Sequence, residues 1–312
     1  MNRPLARRSA RALASVGLLA VGLGCGKTNS AATGGGNLPL VVFNAGALAI
    51  PLRQALDSFS RRNGAIPNQE SAGSIESVRK ITDLGRNPDI IAVADTALFG
   101  TMLHGRLDGP VAVLGSSRLV LAYTSNSRFA DSVTSDNWTD LTTRPGVQVG
   151  RSDPTLDPAG YRALMAMQLA ERYYGQPGLA ARLKAAAPDA DMRPKSADLT
   201  ALLQTGNLDY AWEYESVARD LGLRFVSLPS AVDLGDPAMG AAYSKVSVQI
   251  SRRTRLVVHG APIVFGVAAL KTAPHPSTAR AFITYLMSPE GRAILAANGL
   301  RRPGDGNSGD RY

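Results

Sequence analysis

From Leu38 onward the chain alternates short apolar runs with apolar residues at helical spacing, and this alternation predicts strands feeding helices through small turns. Pro39-Leu40-Val41-Val42-Phe43-Asn44 reads as a strand, Ala45-Gly46-Ala47 as a turn, and Leu48, Leu52, Ala55, Leu56 and Phe59 as the inward row of a helix. A second strand near residues 67–70 enters Ser71-Ala72-Gly73-Ser74 and a helix carrying Ile75, Val78, Ile81 and Leu84, with Ser74 as N-cap and Glu76 in its first turn. Residues 89–95 are apolar between their flanking aspartates, as expected for a strand covered on both faces of a parallel sheet, and a helix follows from about Ala97. The class is α/β.

Leu119-Val120-Leu121-Ala122-Tyr123 is another buried strand, after which a polar segment to Pro145 breaks the rhythm and reads as the crossing into a second lobe. Val147-Gln148-Val149-Gly150 leads to Ser152-Asp153-Pro154-Thr155-Leu156-Asp157-Pro158-Ala159-Gly160, a loop feeding a long helix whose apolar row is Tyr161, Leu164, Met165, Leu169 and Tyr173. Ser196 reads as the cap of a helix with Leu199, Leu202 and Leu203 that Gly206 ends; residues 208–214 form a strand carrying Glu213 near its end, and residues 223–228 form another. Two β runs, residues 246–250 and 256–259, flank a basic turn. The apolar run 262–270 returns to the first lobe, and two helices, residues 277–286 and 289–297, close the fold.

The expected architecture is therefore two lobes, each a mainly parallel sheet flanked by helices, with two crossings between them: residues 38–121 plus 262–300 in the first, 122–261 in the second. Such an arrangement places a cleft where strand ends and helix starts converge. Residues 301–312 read as a disordered tail.

The first 25 residues stand apart. Arg3, Arg7, Arg8 and Arg11 precede an apolar run, residues 12–23, too short to span a bilayer, as in a secretory signal. It ends at Gly24-Cys25-Gly26, and Cys25, the chain's single cysteine, lies where a lipoprotein signal carries its acylated residue, although Gly22 replaces the usual leucine. Residues 26–37 read as a flexible tether. With no other cysteine, neither a disulfide nor a thiolate metal site is available. The formal net charge is +9, and setting the four leader arginines aside leaves +5, too mild to name a partner. Arg61-Arg62 and Arg252-Arg253 lack interleaved aromatics, so no nucleic-acid surface is expected.

Three turns share one design. Gly46-Ala47, Gly73-Ser74 and Pro158-Ala159-Gly160 each place backbone amides at a helix start, where roughly half a positive charge and unpaired N–H groups can hold an anion. Ser71, Ser74 and Ser152 could add hydroxyls. Glycines at strand ends and serines at helix caps are also ordinary α/β features. Asp157 is explained equally well as an N-cap, and Glu213 as a solvated charge before the next helix. As site residues they look misplaced, since two unit charges about 4 Å apart repel by roughly 4 kcal/mol at an effective dielectric of 20.

From about Leu40 to Ala297 the chain resembles the molybdate/tungstate-binding proteins of ABC importers, two-lobed solute-binding proteins of the periplasmic (type II) kind. The resemblance rests on residues 42–48, 71–74, 78–85, 119–124, Leu156-Asp157-Pro158-Ala159-Gly160-Tyr161-Arg162-Ala163-Leu164, Asp209-Tyr210-Ala211-Trp212-Glu213-Tyr214 with Ser216-Val217-Ala218, and Pro262-Ile263-Val264-Phe265-Gly266, all in one order. It implies that Asp157 and Glu213 ligate the metal of the oxyanion and that Gly46, Ala47, Gly73 and Ser74, with the position of Ala159, contact its oxygens. Mo(VI) or W(VI) can expand from four oxygens to six, which would give the carboxylates a purpose and make them repel sulfate or phosphate. Asn44, Ala47 and Ala159 depart from the family's usual His, Ser and Cys.

The resemblance further implies a membrane permease as partner and no cofactor beyond the bound molybdate or tungstate; the leader implies a membrane anchor through Cys25, and a monomer is expected. The alternatives are a receptor for sulfate or phosphate and an enzyme using Asp157 and Glu213 as acid and base. His104, His259 and His275 fall in no triad or metal spacing, and no nucleophile elbow or phosphate loop is present.

Overall fold

The structure is a computed structural model describing residues 38–251 and 255–302, all within one unit, Gly36–Tyr312. Its strands are β1 (Leu38–Ala45), β2 (Ala65–Ala72), β3 (Ile90–Val93), β4 (Ala112–Ser116), β5 (Leu119–Tyr123), β6 (Val149–Ser152), β7 (Met192–Arg193), β8 (Tyr210–Tyr214), β9 (Arg224–Ser227), β10 (Ser247–Gln249), β11 (Val257–His259) and β12 (Val264–Ala269). The helices are α1 (Ala49–Asn63), α2 (Ser74–Thr82), α3 (Ala97–Thr101), α4 (Trp138–Thr142), α5 (Pro158–Tyr174), α6 (Leu179–Ala186), α7 (Leu199–Gln204), α8 (Glu215–Asp220), α9 (Gly240–Tyr243), α10 (Pro276–Met287) and α11 (Pro289–Ala297).

The strands form two five-stranded sheets, ordered β2-β1-β3-β12-β4 and β7-β6-β8-β5-β9, and a hairpin of β10 and β11. Each sheet is parallel except for one strand, β12 in the first and β5 in the second. The exceptions have one cause. The parallel strands end towards the other lobe, so a chain that has just crossed enters its new sheet from that end and must run backwards. β3, β5 and β8 are buried along their whole length, as the unbroken apolar runs of β3 and β5 predict, and the burial of β8 includes Glu213.

The crossings lie side by side. Ser117 N donates to Ile263 O (3.4 Å), Leu119 N to Asp233 O (2.8 Å) and Ile263 N to Leu234 O (2.9 Å). The outward crossing therefore falls between β4 and β5, at residues 117–118, and not after Leu121: β5 pairs with β8 and β9 over its full length, because its outer neighbours belong to the second lobe. Arg301 is not part of a loose tail, since its N–H and C=O pair with Ser116 and its guanidinium reaches Glu215. Glu215 also holds Arg118 (2.6 Å) and Arg219 (2.7 Å), and these cations keep its carboxyl below the usual range despite burial.

Aromatic side chains anchor each lobe. Phe59 of α1 meets Phe282 of α10 edge-on at 5.3 Å, and Trp138 meets Trp212 at 5.8 Å, an arrangement worth about 0.5–1.5 kcal/mol beyond its buried area. Two expected core residues are outside. Leu84 lies past the end of α2 and is 72% exposed; Tyr173 is 53% exposed while Tyr174 turns inward and accepts a hydrogen bond from Trp138 Nε1 (3.1 Å). Among the described residues no helix is long and apolar enough to cross a bilayer. The leader, Cys25, the tether, the Arg252-Arg253 pair and residues 303–312 lie outside the described residues.

Candidate functional site

Both crossings open onto the ends of β1, β2, β6 and β8, where the predicted residues gather. After β1 the chain bends through a 3-10 turn, Gly46–Leu48, into α1, with Ala47 buried. A Cβ on Gly46 would stand 3.2 Å from Lys195 Cδ and 3.5 Å from Ala197 Cβ, both of the second lobe. The Lys195 stem thus lies over Gly46, and its Nζ reaches Ser71 O (3.5 Å) and Asp198 (3.5 Å). Asn44 braces two strands: its Nδ2 donates to Ala45 O (2.7 Å) and Ser71 Oγ (2.9 Å), and its Oδ1 accepts from Gln69 (3.0 Å).

At the second turn the N-cap is Gly73 rather than Ser74. Ser74 is the first helical residue, fully buried, and its Oγ accepts from Ala94 N (3.0 Å), leaving the hydroxyl proton free to donate. The next two amides, Ile75 and Glu76, both donate to the carbonyl of Leu156, at 3.0 and 3.2 Å. That carbonyl belongs to the loop carrying Asp157, so the two lobes are closed on each other here. A Cβ on Gly73 would lie 2.3 Å from Leu156 O. The glycine that looked like room for a ligand is room for the other lobe.

Asp157 is indeed the N-cap of α5, with Pro158 in the first turn behind it. Its Oδ1 accepts from Ala159 N (3.4 Å) and its Oδ2 from Ser196 N (2.8 Å), while Gly160 N is taken by Asp157 O (3.0 Å). The amides of this mouth are therefore occupied by Asp157 itself, and the expected free donors are not there. Glu213, the penultimate residue of β8, is 1% exposed; its Oε1 accepts from Tyr214 N (2.7 Å) and Ser196 Oγ (2.8 Å). One residue, Ser196, thus holds both acids, the amide on Asp157 and the hydroxyl on Glu213.

Of the four buried side-chain polar atoms without a partner among the described residues, two belong to residues at the acid pair, Glu213 and Ser152. Glu213 Oε2 has no hydrogen-bond partner, and Ser152 Oγ lies near enough to Asp157 to favour its charge yet makes no well-formed bond. An orphaned carboxylate oxygen in a closed cleft is costly unless something fills the gap. Burial pushes the Asp157 carboxyl up to about 6, against the pull of the Ser196 and Ala159 amides. Burial pushes Glu213 further, to about 8, against its bonds from Tyr214 and Ser196 and with the nearby charge of Asp157 adding to the rise.

These shifts set a pH dependence. A carboxyl whose folded pKa is raised binds more protons folded than unfolded, so it supports the ligand-free fold below about 4.5 and loses that support as pH climbs through about 8. Glu213→Gln is expected to melt higher than the parent at pH 8.5, by a difference on the order of 3 kcal/mol, and to converge with it near pH 5. Melts at the two pH values check this, and a gap that does not change with pH contradicts it.

The sequence singles out Asp157, Glu213, Gly73 and Ser74 as site candidates and offers Ser196 only as a helix cap; the serine begins a 3-10 turn, Ser196–Asp198, ahead of α7 and bonds to both acids. Among the described residues no group of three or more His, Cys, Asp or Glu is placed to hold a metal ion.

The model of the bacterial extracellular solute-binding proteins matches residues 40–301. The chain belongs to that family. Among its relatives is an uncharacterized solute-binding protein of Petrotoga mobilis, 36% identical over 83% of this chain and 82% of the relative. The molybdate/tungstate-binding protein WtpA of Pyrococcus abyssi is 32% identical over 92% of this chain and 91% of its own length. Among solved structures, the periplasmic molybdate-binding protein of Azotobacter vinelandii aligns with a TM-score of 0.63 at 16% identity, covering 85% of this chain and 99% of that one. The sulfate-binding protein SubI of Mycobacterium tuberculosis aligns with a TM-score of 0.61 at 14% identity, over 86% and 88%. Likeness at this level establishes the two-lobed fold of a solute-binding protein and does not separate one oxyanion from another.

Proposed function

We propose that this solute-binding protein captures molybdate or tungstate between its lobes and delivers it to an ABC-type membrane permease. The observation that carries the reading is the buried acid pair held by one serine, with Glu213 Oε2 lacking any partner. Two ionised carboxylates beside a sulfate or a fully ionised phosphate would repel it. A hexavalent group-six metal keeps its four oxygens and accepts two more hard donors, so Asp157 and Glu213 complete its coordination. Ser74, with the backbone at Gly46, Ala47 and Gly73, grips the oxygens from the first lobe. Ala159 contributes no hydroxyl or thiol there, and its amide serves Asp157. The 32% identity to a molybdate/tungstate-binding protein over nearly the whole chain supports the same reading.

The receptor acts as a monomer outside the cytoplasm, held to the membrane through a lipid on Cys25. Calorimetric titration of the chain from Ala31 with molybdate, tungstate, sulfate and phosphate tests the ligand. Heat from the first two alone is expected; equal binding of sulfate or phosphate, or turnover of any substrate, rejects the assignment.

A further inference from the structure

One turn behind the acid pair lies a second polar cluster joining the lobes. Tyr161 and Arg162, on α5 of the second lobe, face the end of β3 in the first. Arg162 Nη1 donates to Ala94 O (2.6 Å) and to Tyr214 OH (2.9 Å), its Nη2 pairs with Asp95 (3.3 Å), and Tyr161 OH donates to the same Asp95 carboxylate. Arg162 is 3% exposed, Tyr161 1% and Asp95 9%. Asp95 also accepts from Ala97 N (3.0 Å), which fixes its carboxylate at the start of α3.

The cluster is wired to the site on both sides. In the first lobe, the Ala94 residue that offers its carbonyl to Arg162 gives its N–H to Ser74 Oγ at the α2 mouth. In the second lobe, Asp157 caps the helix that carries Arg162. A displacement at the latch therefore moves an oxygen-gripping group on one side and an acid on the other.

We propose that Arg162 is a positioning residue for capture: by seating on Asp95 and the Ala94 carbonyl it sets how far the lobes close and hence how Asp157 meets an anion held at Ser74. The inference rests on the cleft being the capture site. A desolvated ion pair adds little net closing free energy, because both ions are hydrated when the lobes part. It does impose one geometry, since any closed form that misaligns the pair buries two unmatched charges.

Asp95→Asn in the full chain tests this, since Asn keeps the Oδ1 acceptor for Ala97 and puts an uncharged NH2 donor in place of Oδ2, the oxygen that receives Arg162 and Tyr161. Molybdate affinity is expected to fall about 100-fold through faster release. Discrimination against sulfate should be unchanged, and the ligand-free melting temperature should move by less than about 2 °C. Small-angle scattering should show weaker compaction on adding molybdate. An unchanged affinity and compaction, or a lowered ligand-free melting temperature with affinity intact, overturns the proposal. Should Asp95→Asn not fold, Tyr161→Phe removes one bond to the same carboxylate, and about a fivefold loss is expected, with no loss overturning the role. If the parent protein binds neither molybdate nor tungstate, the ligand assignment fails alone. The ligand-free proteins then decide the latch: Asp95→Asn must show the larger radius of gyration, and equal radii reject it.

Discussion

Gly73→Ala is expected to abolish tight capture while leaving both lobes folded. The backbone there has φ −60° and ψ 146°, which any L residue adopts, so the added methyl costs nothing within its own lobe. Its obstacle is the other lobe, where it would lie 2.3 Å from the Leu156 carbonyl oxygen and 2.9 Å from the carbonyl carbon. No rotamer relieves a Cβ, so the lobes must stand apart. That separation breaks the bonds from the Ile75 and Glu76 amides to Leu156, each worth about 1 kcal/mol, along with every ligand contact that needs both sides. Affinity for molybdate should drop at least about 100-fold, and scattering should show no compaction with ligand. Gly46→Ala is the control: its Cβ meets the flexible Lys195 stem at 3.2 Å, which can swing away, so the loss should be small. Equal behaviour of the two variants would mean that closure does not follow the geometry described.

Asp157→Asn and Glu213→Gln should each remove tight molybdate binding with the fold intact. Asn is as good an N-cap as Asp, and its single side-chain oxygen can still accept from Ala159 N at the loss of the Ser196 N bond, so α5 keeps its start. Gln fits the space of Glu213 and retains an acceptor for Tyr214 N and Ser196 Oγ. What each variant loses is a charged donor to the proposed metal, for which a decrease of at least about 100-fold is expected, the scale on which even outer partners of metal ligands act. The parent should also bind more tightly as pH rises towards 8, because Glu213 must surrender its proton to coordinate. Titrations at pH 6 and 8 in buffers of different ionisation enthalpy measure that proton directly. Undiminished affinity in both variants removes the acids from the site.

The alternating strands and helices followed from local periodicity, which is why β1, β3, β5, β8 and α5 fall close to where their apolar residues place them. Asp157 and Glu213 could be singled out because each marks an element boundary and because the flanking residues carry a family resemblance. The remaining features depend on how the lobes meet. Nothing adjacent in the chain couples Leu156 to Ile75, Arg162 to Asp95 or Ser196 to both acids, since each contact forms only when distant segments close on one another. Gly73 shows the consequence: a glycine before a helix suggests access for a ligand, and its actual neighbour comes from the other lobe. Periodicity puts the crossing too late because β5 is equally apolar whichever sheet receives it.

The place of β12 has a bearing on how the molecule is made. It sits between β3 and β4, so β4 has no hydrogen-bonded neighbour until the last third of the chain has been delivered, whereas all five strands of the second sheet lie between Leu119 and Ser227. During synthesis or passage through an export channel, the later lobe can complete its sheet while the earlier one waits with an open seam. The first lobe, built from both ends of the chain, is thus the last to complete its sheet, and its unpaired edges most need protection from other chains in the interval.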